Sequence, residues 1–354
     1  MDTEPGRPGI SVVVPVRGRV ERLLHLLESL VPDLEGGREP VEILVVDDSS
    51  PHEADLHRAN CVRMGARYVR GPRHVGAKRN LGARLAVHDL VYFTDSDCRV
   101  QPGTLRALAD ALRPAPPHVV GAAGPTLVED SDALLFRIMW HSSLLNGDLE
   151  KPQDRTEVAW ATTSNLMVRR AALLAIGGFV EESLTVVAGE DVDFGLRLTA
   201  DGSRIVCVPQ ARVVHSHLST SSLKTVGRRL FTYGRSEQWL ITRHPDHGRP
   251  KFNHASALAV ATVTLAGLPP RARRRGARLL PPAAALLMTA RLARELRTRR
   301  APVTHTAARV LIEYAFEAGA FVASLQLRRP ALLFKGFHAT DGHFPDAGRE
   351  PDAT

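Results

Sequence analysis

The chain has 354 residues, 44% of them apolar, enough for one large domain or a core domain with an appendage. Its net charge is +8, concentrated in Arg271, Arg273, Arg274, Arg275 and Arg278 and in residues 294–300, but aromatics are only 5% and none interleave with these runs, which excludes a base-stacking nucleic-acid platform. Three scattered cysteines, Cys61, Cys98 and Cys207, form no CxxC pair and exclude a disulfide framework or a structural zinc site; a reducing, cytoplasmic setting is expected.

The opening MDTEPGRPGISVVVPV has no basic segment followed by an apolar one, so no signal peptide is expected. Residues 10–16 (ISVVVPV) are a continuous β-branched run, the pattern of a buried parallel strand. Leu23, Leu24, Leu27 and Leu30 recur at helical spacing and predict a helix over 20–30. Residues 41–46 form a second strand that ends in Asp47, Asp48, Ser49 and Ser50. A helix over 53–64, a strand over 66–69, a helix within 75–86 and a strand over 91–93 follow. The next helix, 102–112, carries proline in its first turn. This alternation predicts an α/β fold, a mostly parallel sheet with helices on both faces. Ligands of such sheets bind beyond the carboxyl ends of the strands, where Asp47, Asp48, Asp95 and Asp97 fall.

The middle of the chain is mixed. A strand is expected within 158–168, a short helix over 170–176 capped by Gly177 and Gly178, a helix over 190–200 ended by Asp201 and Gly202, and strands over 205–208 and 213–214 leading into His215. Beyond residue 250, alanine- and leucine-rich segments alternate with arginine clusters and Pro-Pro pairs, a helical extension. The longest apolar run there, 254–270, falls short of the ~18 residues of a spanning helix. The organisation expected is a catalytic domain over 1–250, a helical extension over 251–340 that meets a membrane surface or a second copy in a homodimer, and a disordered tail over 341–354.

Five constellations carry chemistry. Asp95 and Asp97, flanking Ser96, can face one divalent ion, although acidic pairs are also common in solvated turns. Asp47 and Asp48 can accept hydrogen bonds from a ribose or base, or simply precede a helix capped by serine. Lys78 and Arg79 in GAKRNLG suit a phosphate at a helix start, or an ordinary exposed basic turn. Glu190, Asp191 and Asp193 in GEDVDF complement a helix N-terminus and can supply a general base. His215 or His217 can complete a metal site, or lie half-buried at the surface.

Taken in order, SVVVPV, LVVDDSS, GAKRNLGA, YFTDSDC, TTSNLMVRRAALLAIGGF, GEDVDFGLRL and RVVHSH resemble glycosyltransferase family 2, over residues 10–244. The resemblance implies a GT-A nucleotide-sugar fold and an inverting transferase. Its donor would be a nucleoside-diphosphate sugar, its acceptor a hydroxyl compound, and its cofactor a divalent metal, Mn²⁺ or Mg²⁺. It places Pro15, Val16, Asp47, Asp48, Lys78, Arg79 and Asp95 at the nucleotide and Asp97 on the metal with His215 or His217. Asn165 would border the sugar and acceptor, and Asp191, beside Glu190, would be the general base. Many members of the family carry a further carboxylate where this chain has Cys98, one ligand fewer. A nucleotidyltransferase would need a glycine-rich phosphate loop, and residues 15–19 hold one glycine. An inactive scaffold of this fold would usually have lost one of the acidic motifs, and both are present.

Overall fold

The computed structural model describes residues 6–147, 149–181, 188–297 and 301–338. The strands are β1 (Arg7–Val16), β2 (Val41–Asp47), β3 (Arg67–Arg70), β4 (His88–Phe93), β5 (Cys98–Val100), β6 (Val119–Ala123), β7 (Thr126–Val128), β8 (Glu157–Val158), β9 (Leu166–Arg169), β10 (Arg204–Cys207), β11 (Val213–His215), β12 (Gly248–Pro250) and β13 (Lys335–Phe337). The helices are α1 (Val20–Gly36), α2 (Pro51–Arg63), α3 (Val75–Leu85), α4 (Thr104–Leu112), α5 (Leu134–Met139), α6 (Ser143–Asn146), α7 (Arg170–Ala175), α8 (Glu190–Thr199), α9 (Leu223–Arg243), α10 (His254–Ala266), α11 (Pro270–Leu296) and α12 (Val303–Gln326).

The main sheet runs β3-β2-β1-β4-β9-β6-β10-β8. β3, β2, β1 and β4 are parallel to one another, and β9 is antiparallel between β4 and β6. Alternation along the buried strands sends side chains to two separate cores. Val12, Val14, Ile43, Val45 and Tyr92 pack on Leu23 and Leu27 of α1 and Leu105 and Leu108 of α4. Val13, Leu44, Val91 and Phe93 face Ala83 of α3, Leu173 of α7 and Phe194 of α8. Continuous apolar strands are what a sheet covered on both faces requires. The fold is therefore a mixed α/β domain with a large, mostly parallel sheet, followed by three helices.

Two expected boundaries shift for physical reasons. The helix after β5 begins at Thr104, not Pro102, because Gly103 is in the left-handed region (φ 82°) and precedes the first helical residue. Its free amides are capped from another helix: the buried Asp33 of α1 accepts from the Gly103 and Leu105 N–H groups at 3.0 and 3.1 Å. α1 runs on past residue 30 to Gly36, because Leu34 continues its apolar stripe and packs on the same core.

The last helix and strand are tied to the body. α12 lies along α9, and β13 pairs antiparallel with β12 across the 250 boundary. No helix among the described residues is long and apolar enough to cross a membrane. The expected tail over 341–354 lies outside the described residues.

Candidate active site

A cleft of about 1540 Å³ opens beyond the carboxyl ends of β1 and β4. Pro15, Val16, Lys78, Arg79, Asp95, Asp97, Glu190, Asp191 and His215 all line it, so residues spread over most of the catalytic half meet in one place.

Asp47 is wholly buried at the end of β2. One oxygen accepts from the Ser49 N–H at 2.8 Å and from the Ser49 hydroxyl; the other accepts from the Tyr68 hydroxyl at 2.8 Å and lies 3.5 Å from an Arg70 nitrogen. Asp48 is ion-paired with Lys78, whose ammonium also donates to the Val16 carbonyl at 2.8 Å. Burial lowers the Lys78 pKa, an effect that Asp48 opposes. The Asp47–Asp48 turn is thus bound to strands β1 and β3 and to the first turn of α3.

Arg79 is buried, and its terminal nitrogens reach Glu190 at 2.8 Å and Asp95 at 3.0 Å. It stands 5.5 Å over the Phe179 ring, which stacks on Phe194. Burial would strip its charge, but Asp95 and Glu190 outweigh it and raise the pKa. With both terminal nitrogens taken, Arg79 bridges the two acidic motifs.

Antiparallel pairing of β11 with β5 sets His215 opposite Cys98 and next to Asp97. The His215 Nε2 lies 3.5 Å from Asp97 Oδ1, and Arg19 donates to Asp97 Oδ2 at 2.6 Å. His215 Nδ1 faces the Ser216 carbonyl at 2.8 Å. A carbonyl only accepts, so Nδ1 carries a proton, and in the Nδ1–H tautomer Nε2 presents a lone pair. Two acceptors aimed at each other across this gap suit a shared cation, so Asp97 and His215 fit a divalent ion. Asp95, Cys98 and His215 also have atoms within 4.8 Å of one another. Burial pushes the Cys98 thiol well above its usual range, so it stays protonated and is a poor ligand for a hard cation. His217 turns elsewhere, with Nδ1 3.2 Å from Glu129.

Gly189, at φ 85°, lets the chain enter α8 with Glu190 and Asp191 on its first turn. Asp191 is half-buried in the cleft wall; burial, then the neighbouring Glu190 charge, push its pKa up to about 7. Asp193, two residues on, is wholly buried and accepts from Arg243 at 2.6 Å, Arg197 at 2.9 Å and His244 at 3.0 Å. Burial alone would raise its pKa, but the hydrogen bond from His244 and those from both arginines hold it at about 2.

Asn165 is placed behind the cleft wall. Its amide donates to the Pro125 and Ala211 carbonyls at 3.1 and 2.9 Å and accepts from the Tyr92 hydroxyl at 3.1 Å. Thr162, Thr163 and Ser164 line the cleft instead. The far wall, from α9 and α12, supplies Arg228, Arg229, Tyr233 and Phe316, none of which sequence reasoning singled out. They carried no local signal, being ordinary residues on amphipathic helices. Arg19 was equally silent.

Residues 11–177 match the model of glycosyl transferase family 2. The chain is 32% identical over 260 residues to a pre-mycofactocin glycosyltransferase of Mycobacterium tuberculosis, covering 72% of this chain and 52% of that protein. It is 29% identical to an N-acetylglucosaminyl-diphospho-decaprenol L-rhamnosyltransferase of the same organism, over 58% of this chain and 76% of that protein. It is 30% identical to a validoxylamine A glucosyltransferase of Streptomyces hygroscopicus, over 55% and 52%. The chain thus spans about half the length of the first and third of these relatives. The matched segment holds β1, α3 and the Asp95–Asp97 pair, all of which line the cleft, and residues 11–177 form a glycosyl transferase family 2 domain.

Proposed function

We propose that this chain transfers a sugar from a nucleoside-diphosphate sugar to an acceptor hydroxyl, by one displacement that inverts the anomeric centre. The observation that carries the reading is the meeting, in one cleft, of the Asp97–His215 pair and the raised Asp191 carboxyl. Asp97 and His215 would hold a divalent cation, Mn²⁺ or Mg²⁺, which when bound neutralises charge on the diphosphate leaving group. Pro15, Val16 and Lys78 receive the nucleoside, with the Asp47–Asp48 turn holding Lys78 from behind, and Asp95 receives the sugar or ribose. Arg79 keeps Asp95 and Glu190 in register across the cleft floor.

Asp191 then accepts the proton of the acceptor hydroxyl as that oxygen bonds to the anomeric carbon. The bond from that carbon to the phosphate oxygen breaks, and its electron pair leaves with the diphosphate. A carboxyl with a pKa near 7 suits this task, being both substantially ionised and basic enough to take a proton at neutral pH. The three relatives' names specify different transfers, so the donor is best found by a panel. Calorimetric titration with UDP, dTDP and GDP, with and without Mn²⁺, should show one nucleotide binding tightly only with metal, and Asp97→Asn should lose that binding. Metal-independent binding that Asp97→Asn leaves intact would overturn the assignment of the cation to Asp97.

A further inference from the structure

α10 and α11 form a helical hairpin that leaves the body. They pack on each other, with Gly276 of α11 closely against Leu265 of α10. Only Ser256 of α10 is buried, and no residue of α11 is. The stretches 255–270 and 279–290 contain no charged residue. Yet Leu258, Val260, Val263 and Leu268 on the first arm, and Leu279, Leu286, Leu287 and Met288 on the second, are exposed, Val263 at 72% and Leu286 at 70%. A helix that is apolar around its whole circumference is stable only when something covers it.

The charge on the hairpin says what covers it. Arg271, Arg273, Arg274, Arg275 and Arg278 lie exposed where α11 begins, and none pairs with a carboxylate among the described residues. A second copy of this chain meeting the same face would add five more arginines to it. An anionic lipid surface instead supplies phosphates for the arginines and an acyl boundary for the apolar side chains. Since no described helix can cross a bilayer, the hairpin would lie in the interface.

The root of the hairpin fixes where such a surface would stand. Glu317 of α12 accepts from the His254 N–H and from Arg291, both at 2.6 Å, and Glu313 lies 3.2 Å from Arg291. Phe316, between those two glutamates in sequence, lines the cleft. The root is therefore separated from the cleft by α12 alone.

We propose that the α10–α11 hairpin docks the protein on anionic lipid bilayers, with the cleft held beside the membrane surface. The proposal does not depend on the catalytic reading, because docking is measured without turnover. The full chain is co-sedimented with vesicles of phosphatidylcholine alone and of phosphatidylcholine with phosphatidylglycerol. Binding to the anionic vesicles is expected. Replacing Arg273, Arg274 and Arg275 by Gln should reduce it by roughly tenfold or more at low salt. The exposed-site variant Val263→Ser/Leu286→Ser/Leu287→Ser should reduce binding while leaving the fold, read by circular dichroism, unchanged. Equal binding by the wild type and both variants, or no binding to anionic vesicles, would overturn the proposal. So would a wild-type dimer in sedimentation velocity that the apolar variant converts to monomer, which would make a second copy the occupant.

Discussion

Asp191 and Asp193 sit two residues apart on one helical turn and are driven in opposite directions, to about 7 and about 2. The difference lies in what surrounds them. Asp193 collects donors from Arg197, Arg243 and His244, whereas among the described residues Asp191 accepts from the Val192 N–H at 2.9 Å, and burial and the like charge of Glu190 outweigh the opposing charge of Arg79. Stability follows each shift with its own sign. The raised Asp191 stabilises the fold with its proton on, a contribution lost as pH rises through about 7. The contribution of Asp193 is present above the ordinary carboxylate range and is lost as pH falls toward about 2. As a general base Asp191 must be ionised, so kcat/KM should fall as pH drops below about 7. Asp191→Asn should lower kcat by ~10²–10⁴-fold, with nucleotide affinity retained, in a coupled assay of nucleotide release. Turnover equal to wild type would remove Asp191 from the role. At this scale the acidic motifs were legible through their order along the chain with the other motifs, since an acidic pair by itself is also common in solvated turns. The commitments of Arg79 and Asn165 were not, because Glu190, Pro125 and Ala211, which occupy them, are distant in sequence.

At the scale of elements, the cleft depends on two close packings. β11 lies beside β5, and that register decides which histidine of the HSH triplet meets Asp97. α9 lies against α12 through two glycines. A methyl group built on Gly319 would strike the Phe231 carbonyl, and one on Gly234 would strike the Phe316 carbonyl. Gly319→Ala should push the helices apart and destabilise the protein by ~1–3 kcal/mol, read as a lower midpoint in urea unfolding. Because Phe316 and Tyr233 line the cleft from these two helices, substrate affinity should weaken in the same variant. An unchanged midpoint would mean the interface relaxes at no cost. The strands and helices of the first half were readable from periodicity, whereas helix ends such as Thr104 were set by a cap from Asp33 that no local pattern announces.

For the whole molecule, α12 and β13 of the helical extension are part of the folded body, from which the α10–α11 hairpin projects. β13 completes a two-stranded sheet with β12, Gln238 of α9 donates to the Lys335 carbonyl at 3.0 Å, and Phe316 packs with Val226 and Leu230. A chain cut to residues 1–250 would expose that face of α9 and leave Glu237 without Lys251, its partner at 2.6 Å. We expect the fragment to aggregate or to show no cooperative thermal transition in calorimetry. A cooperatively folding fragment would make 1–250 an independent domain. By itself the sequence determined the α/β layering, since alternation and β-branched runs are local properties of the chain, and it marked the acidic strand ends and the helical extension. Only the tertiary structure decided which of those carboxylates face the cleft, which histidine joins Asp97, and that α9 and α12 form its far wall. Each of these depends on partners brought together from distant parts of the chain, and a residue's charge state and exposure are set by those partners.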